Sequence, residues 1–140
     1  MSEVGELYQC IILRHGRHSP YAGTLPPPHL HAQGFNPKCG DEIELFLRVE
    51  NGVVQEARFV GEGCLLSRAS ASILCACVPG MRVDEMGSLH AKVRQLLRGE
   101  KLASPDVVGD LPALSAAAAH PARHGCVTMA WEVLVNRLSE

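Results

Sequence analysis

Three cysteines stand far apart in the chain, each in a stretch punctuated by glycine: Cys39, Cys64 and Cys126. The first of them is followed two residues later by the carboxylate of Asp41. Glycine lets the backbone approach a ligand closely, which a cysteine kept only for packing does not require. Separated thiols with a nearby carboxylate indicate a metal site or a site of sulfur chemistry, and the function should be sought there.

Length and composition limit the number of domains and the classes of partner. A chain of 140 residues with 46% hydrophobic and 20% charged residues is typical of one globular domain, which we expect to span residues 1–140. A formal net charge of −2 gives no reason to expect nucleic acid as a partner.

The sequence contains no apolar run of about 18 residues and no signal-peptide pattern at its start, so we expect a cytoplasmic protein without a membrane partner. Six cysteines in that compartment would stay reduced. Metal binding or thiol chemistry is therefore favoured over a disulfide framework.

The first part of the chain predicts little regular structure. Residues 6–13 can form a short helix with Leu7, Cys10 and Ile11 along one stripe, which would place Cys10 in the core. Residues 15–37 carry several prolines and glycines without a sustained period. They predict an irregular connection over the surface.

A hairpin follows. Apolar and polar residues alternate over 41–50, Asn51-Gly52 is a two-residue turn signal, and a second strand is expected over 53–60. Antiparallel pairing would bring Cys39 and Cys64 to the same end of the hairpin.

The remaining segments indicate helices. Residues 67–77 predict a helix rich in small residues, and Cys64 just before it would lie at a helix N-terminus, where a thiolate is favoured. Cys75 and Cys77 are assigned to the core, because residues i and i+2 of a helix point to different faces.

Further helices are expected over 83–97, 111–119 and 122–138, with a loop over 103–109, and Cys126 falls in the first turns of the last helix. The sum is an α+β fold, a small antiparallel β-sheet packed on one side by helices.

Three motifs in order resemble a known family. They are Asn36-Pro37-Lys38-Cys39-Gly40-Asp41, the stretch from Gly61 to Ser72, and the stretch from Pro121 to Trp131. They are similar to the IscU/NifU N-terminal scaffold family, which has a SufE/NifU-like fold, and specifically to its SufU branch. The segment 102–122 resembles the insertion that marks that branch.

The resemblance implies that Cys39, Asp41, Cys64 and Cys126 form one site around a tetrahedral zinc ion or a nascent iron–sulfur cluster. It implies a zinc-dependent sulfurtransferase that accepts persulfide sulfur from a SufS-like cysteine desulfurase and works with other iron–sulfur assembly proteins. Cys39 would be the sulfur acceptor. Arg123 matches an arginine of the branch that would steady a thiolate or contact the desulfurase.

Three alternatives stay open. The first is a scaffold on which an iron–sulfur cluster is assembled and transferred. The second is an interaction module with structural zinc, although Asp41, expected on a surface loop, suggests access for a partner. The third is a thiol hydrolase built on Cys39 or Cys126 with a histidine base, for which no local motif is present.

The chain also departs from the family pattern. Gly125 stands where a lysine often precedes the third cysteine, and His124 is not at the position of the ligating histidine of IscU proper, so a ligand role is not carried to it. The Leu-Pro-Pro-Val-Lys segment by which IscU scaffolds engage a chaperone is absent from the sequence. By resemblance His15 would lie near the partner surface, whereas His29 and His31 are expected to form no metal site.

Overall fold

A computed structural model describes residues 3–27, 29–37, 40–103 and 109–138 of the chain. The helices and strands are, in order, α1 (Glu3–Arg17), β1 (Leu30–Asn36), β2 (Asp41–Glu50), β3 (Val53–Glu62), α2 (Leu65–Cys77), α3 (Met86–Leu97) and α4 (His124–Leu138). Short 3₁₀ segments cover Val83–Glu85, Leu111–Ala117 and Pro121–Arg123. The α+β class expected from the sequence is confirmed.

The predicted hairpin of β2 and β3 is present. The two strands pair antiparallel from Glu50↔Val53 to Glu42↔Glu62. Asn51 has φ 54° and Gly52 φ 76°, and positive φ at both central residues is what a tight turn between twisted strands requires. The turn, followed by a register shift between Arg48 and Val49, carries the far ends of both strands to one edge of the sheet.

The irregular connection predicted for residues 15–37 is wrong, because this stretch contains strand β1. The strand pairs antiparallel with β2 from Leu30↔Leu47 to Asn36↔Asp41, which gives the sheet order β1-β2-β3. Gly34 interrupts the local strand signal, but a Cβ at that position would overlap the side chain of Val133 in α4. The glycine thus serves close packing of helix on strand, a tertiary constraint that local propensity does not report.

The helices cover one face of the sheet. Ile43, Leu45 and Leu47 of β2 are buried on that face, where α2 and α4 pack against the strands. On the other face Phe46 is covered by the rings of His29 and His31, with centroids 5.4 and 5.0 Å from its own. The packing of helices on one side of the sheet agrees with the prediction.

Helix α1 is longer than the predicted 6–13 and turns a different face inward. Cys10 is exposed, and the prediction that it lies in the core is wrong. Ile12 and His15 are buried instead. The continuation of the helix through Arg17 lets it dock along the side that carries these two residues, and Leu7 is left 57% exposed.

His15 belongs to a buried chain of hydrogen bonds. The expectation that it lies at a surface for a partner protein is therefore wrong. Its Nδ1 is 2.7 Å from Ser72 Oγ in α2 and its Nε2 is 2.9 Å from Asp110 Oδ2. Ser72 Oγ is also 2.6 Å from Ser19 Oγ. These bonds tie the end of α1 to α2 and to the chain that leads into Leu111–Ala117.

The core prediction for Cys75 and Cys77 is confirmed. Both side chains are buried, and burial raises the pKa of Cys75 far above its ordinary value and that of Cys77 to about 12. None of the described cysteines forms a disulfide bond. None of the described helices combines the length and apolar character needed to cross a lipid bilayer.

Candidate metal centre

Asp41 is the first residue of β2 and is fully buried. The expectation of a surface loop at this position is therefore wrong. The pair Asn36↔Asp41 closes the β1–β2 ladder, and the neighbouring pair Glu42↔Glu62 sets Asp41 beside the end of β3. Gly63 and Cys64 lie against this carboxylate, so the start of α2 covers a side chain that the sequence pattern alone leaves in the open.

Cys64 occupies the N-cap of α2, as the sequence predicted. Its thiol sulfur accepts the backbone N–H of Ser67 at 3.4 Å. Its own backbone N–H donates to Asp41 Oδ1 at 2.7 Å, and its Sγ is 3.5 Å from Asp41 Oδ2. One carboxylate therefore holds both the backbone and the side chain of the residue that begins the helix.

Gly63 makes this contact possible. Its φ is +141°, a region that residues with a side chain rarely adopt. A Cβ at this position would also overlap the Asp41 carboxylate, with the Asp41 Cγ only 2.7 Å away. The glycines of the motif Gly61-Glu62-Gly63-Cys64 indicate in the sequence that another group approaches the backbone closely. For Gly63 that group is the Asp41 side chain, which is 22 residues away in the chain.

Cys126 completes the described cluster from the first turn of α4, where it is 4% exposed. Its sulfur, the sulfur of Cys64 and a carboxylate oxygen of Asp41 all lie within 4.8 Å of one another. A tetrahedral zinc ion bound at about 2.0–2.3 Å sets its ligand atoms roughly 3.3–3.8 Å apart, so a small contraction would suit the ion. Cys39, the remaining predicted ligand, lies outside the described residues.

The donor set fits soft or borderline metals. Two thiols with a carboxylate match zinc and iron–sulfur centres better than magnesium or calcium, which prefer oxygen ligands. This is the one group of three such side chains that the described ranges bring together. Residues from β2, α2 and α4 meet there, so the fold as a whole holds the cluster.

His124 does not join the cluster. Its Nε2 donates to the backbone carbonyls of Ala117 and Ala118 at 3.1 and 3.2 Å, which fixes the ring against the preceding 3₁₀ segment. Gly125 is close-packed instead, because a Cβ there would lie 3.2 Å from Asn36 Nδ2. Any side chain at position 125 would have to displace this amide.

Two pockets flank the cluster. One, of about 620 Å³, has Cys126 in its wall together with Phe35, which is 57% exposed. The other, also about 620 Å³, lies beside the first turn of α2 and is lined by Leu65 and Arg123. The predicted functional residue Arg123 is exposed at the end of Pro121–Arg123. Sequence reasoning did not find the pocket at Cys126, because Phe35 belongs to the unpredicted strand β1.

A small antiparallel sheet with helices on one face and a thiol–carboxylate cluster at one end defines a class of metal- or cluster-handling proteins. The model of the NifU-like N terminal domain family matches residues 7–134, and the chain belongs to this family. It is an iron–sulfur cluster assembly protein of the IscU/SufU kind.

Two similar proteins carry different functional names. The chain is 35% identical over 139 residues to the iron–sulfur cluster assembly scaffold protein IscU of Thermotoga maritima, covering 96% of this chain and 94% of the relative. It is 30% identical over 128 residues to the zinc-dependent sulfurtransferase SufU of Bacillus subtilis, covering 91% and 86%.

The fold has a solved counterpart in the crystal structure of SufU from Fervidobacterium islandicum. The two structures superpose with a TM-score of 0.83 at 21% identity, covering 99% of this chain and 96% of the other. This likeness supports the assignment of the fold.

Proposed function

We propose that the chain is a zinc-dependent sulfurtransferase that accepts persulfide sulfur from a SufS-like cysteine desulfurase and passes it into iron–sulfur cluster assembly. The observation that carries the proposal is the meeting of Asp41, Cys64 and Cys126 within 4.8 Å. Cys39 is proposed as the fourth ligand and as the acceptor of sulfur. Its place in the chain two residues before Asp41 supports this role.

The ligand set favours an exchangeable metal. A carboxylate oxygen is a harder donor than a thiolate and binds zinc less strongly than a fourth cysteine would. When bound, zinc would keep its cysteine ligands deprotonated at neutral pH. Cys126 also lines an open pocket, whereas a purely structural zinc site is closed on all sides.

The proposed transfer is an exchange between sulfur atoms. The Cys39 thiolate attacks the outer sulfur of the persulfide on the desulfurase cysteine. A new sulfur–sulfur bond forms on Cys39, the bond within the desulfurase persulfide breaks, and the desulfurase cysteine leaves as a thiolate. The outer sulfur moves with its oxidation state unchanged, so no external oxidant or reductant is required.

Arg123 is proposed to assist this exchange from the rim of the site. It is exposed, and its side chain shares a pocket wall with Leu65, the residue after Cys64. Its guanidinium would attract the negatively charged persulfide or an acidic group of the desulfurase.

A scaffold function is the second candidate. The relative from Thermotoga maritima is named a scaffold protein, and the same thiols and carboxylate would suit iron and sulfide as cargo. A structural-zinc module is the third. It is disfavoured by the opening of the Cys126 pocket to solvent.

The test is a paired measurement on protein purified without oxygen: its metal and acid-labile sulfide content, and the turnover of a SufS-type desulfurase with and without it. About one zinc per chain, no sulfide and faster turnover are expected. Cys39→Ser should abolish the acceleration. The matched control is Cys10→Ser, because Cys10 is an exposed thiol in α1 outside the cluster.

Other outcomes assign the chain elsewhere. Iron with acid-labile sulfide would move it to the scaffold function. Zinc without any effect on desulfurase turnover would leave a structural site. Normal acceleration by the Cys39→Ser variant would remove Cys39 from the mechanism.

A further inference from the structure

A third pocket carries positive charge that the thiol–carboxylate cluster does not use. It has a volume of about 260 Å³ and lies between the end of α1, residues 19–23, β3 and the start of α2. Arg17 and Arg68 are both in its wall, and none of the described lining residues is acidic. Two guanidinium groups without a lining carboxylate create a local positive potential.

Arg68 supplies the more specific observation. Its Nε is buried and has no hydrogen-bond partner in the described structure. A buried donor of a charged group is costly when it is left without an acceptor. Nε itself is closed to contact, but Arg68 is partly exposed and lines the pocket, so an anion there would reach the rest of the guanidinium and its charge would offset the cost of the unpaired Nε.

The neighbouring arginine does not share this property. Arg58 stands next to Phe59 in β3, but its Nε is 3.2 Å from a carboxylate oxygen of Glu56 and it donates to the Pro20 carbonyl at 3.2 Å. Its charge is already paired with that of Glu56. The free cationic groups of the pocket are thus Arg17 and Arg68 among the described residues.

The wall of the pocket is held in place before any ligand binds. Gly23 N–H donates to the Phe59 carbonyl at 2.8 Å and Phe59 N–H donates to the Tyr21 carbonyl at 3.0 Å. Ser19 Oγ accepts the Tyr21 N–H at 3.0 Å and is bonded to Ser72 Oγ. A site whose backbone is fixed in advance loses little conformational entropy on binding.

We propose that this pocket binds a compact oxyanion, a phosphate or carboxylate group, through the guanidinium groups of Arg68 and Arg17. The planar fork of donors on arginine matches both groups. Phe59, which is 4% exposed, contributes an apolar wall that lowers the local dielectric and strengthens the attraction. The inference is independent of sulfur transfer.

The test follows the side-chain Nε–H signals of the arginines by NMR in ¹⁵N-labelled protein. Inorganic phosphate is titrated at slightly acidic pH, with sodium chloride holding the ionic strength constant. The Arg68 signal should shift along a saturable curve. The Arg98 signal should stay fixed, because Arg98 Nε already donates to Glu100 at 2.6 Å.

Variants identify the binding groups. Arg68→Gln and Arg17→Gln should each weaken phosphate binding at least about tenfold, since each removes charge-assisted hydrogen bonds. The matched control Arg98→Gln should leave the affinity unchanged. Because Arg17 is exposed at the end of its helix, Arg17→Gln carries the test if Arg68→Gln does not fold.

Parallel titrations with phosphate and with acetate separate the two sources of oxyanion, and a saturable response to either supports the site. A linear shift without saturation, or an equal shift of the Arg98 signal, would mean that no anion binds at a specific site beside Arg68. That result would overturn the proposal.

Discussion

The carboxylate of Asp41 accepts the backbone N–H of Cys64 at 2.7 Å, across 23 residues of chain. One group therefore holds the N-cap residue of helix α2 and belongs to the thiol–carboxylate cluster with Cys64 and Cys126. The buried position of Asp41 couples the thiol–carboxylate cluster to the fold, because a change that moves this carboxylate moves the start of α2 as well.

Gly63→Ala should damage both the fold and the site. The substitution places a methyl group against the Asp41 carboxylate at a φ of +141°. We expect a loss of about 2–3 kcal/mol in the free energy of unfolding and at least tenfold weaker zinc binding, measured by urea titration and by competition with a chromophoric chelator.

The matched control for this change is Gly99→Ala. Gly99 has φ +83°, and a Cβ there would meet no atom within 4 Å. It should lose about 1 kcal/mol of stability through backbone strain alone and keep its affinity for zinc. Equal zinc affinities in the two variants would mean that the Gly63 contact does not position Asp41.

Asp41→Asn should separate two functions of this residue, its hydrogen bond to the Cys64 backbone and its proposed ligation of the metal. The amide oxygen can still accept the Cys64 N–H, so the metal-free protein should remain folded. Loss of the anionic oxygen should weaken zinc binding by about 10–100-fold in chelator competition, because a neutral amide is a poor zinc ligand. The exposed Asp84→Asn serves as the control, and an affinity equal to that control would exclude ligation by Asp41.

The sequence predicted those parts of the fold that depend on local signals. Alternation over 41–50, the Asn51-Gly52 turn and the helix that begins after Cys64 each follow from neighbours in the chain, and all are present. The family resemblance implied one site of Cys39, Asp41, Cys64 and Cys126; three of these lie within 4.8 Å of one another, Cys39 lies outside the described residues, and the ligand roles stay a prediction.

What the sequence missed depends on contacts between distant segments. Strand β1 carries Gly34, whose missing side chain makes room for Val133 of α4, and the last pair of this strand is Asn36 with Asp41. The inward face of α1 is chosen by the bonds of His15 to Ser72 and Asp110, 57 and 95 residues away. Neither the hydrophobic period of α1 nor its composition identifies these two partners.

Arg123→Gln should lower desulfurase acceleration without changing zinc content or stability. Arg123 is exposed and lines, with Leu65, the pocket next to the cluster. Its removal should therefore affect the encounter with the desulfurase and leave the packing of the core unchanged. We expect a rise of about tenfold in the half-saturating concentration for a SufS-type desulfurase, and a weaker salt dependence. Arg98→Gln is the control, and identical titrations for the two variants would exclude a role for Arg123.

The bond between His15 and Asp110 should be worth a measurable coupling energy. A double-mutant cycle of His15→Gln and Asp110→Asn should give about 1 kcal/mol in urea unfolding, because the two side chains meet at 2.9 Å with His15 buried. Arg14→Gln should cost less than about 0.5 kcal/mol, since Arg14 is 68% exposed and 3.9 Å from Asp110. Additive effects of the first two changes would mean that Asp110 does not anchor Leu111–Ala117 through His15.

The buried thiols of Cys75 and Cys77 should make the protein sensitive to alkaline pH. Burial raises the pKa of Cys77 from 9.0 to about 12 and raises that of Cys75 as well. The unfolded chain therefore releases these protons near pH 9 while the folded chain retains them, so their contribution to stability is complete below pH 9 and is lost as the pH rises toward 12.

Urea unfolding as a function of pH measures this effect. Above pH 9 each thiol should steepen the fall in the free energy of unfolding by up to about 1.4 kcal/mol per pH unit. Cys75→Ala and Cys77→Ala should each flatten the slope, although both lower stability at neutral pH by leaving a cavity. Parallel slopes for the wild type and the double variant Cys75→Ala/Cys77→Ala would show that the two thiols ionise equally in the folded and unfolded states.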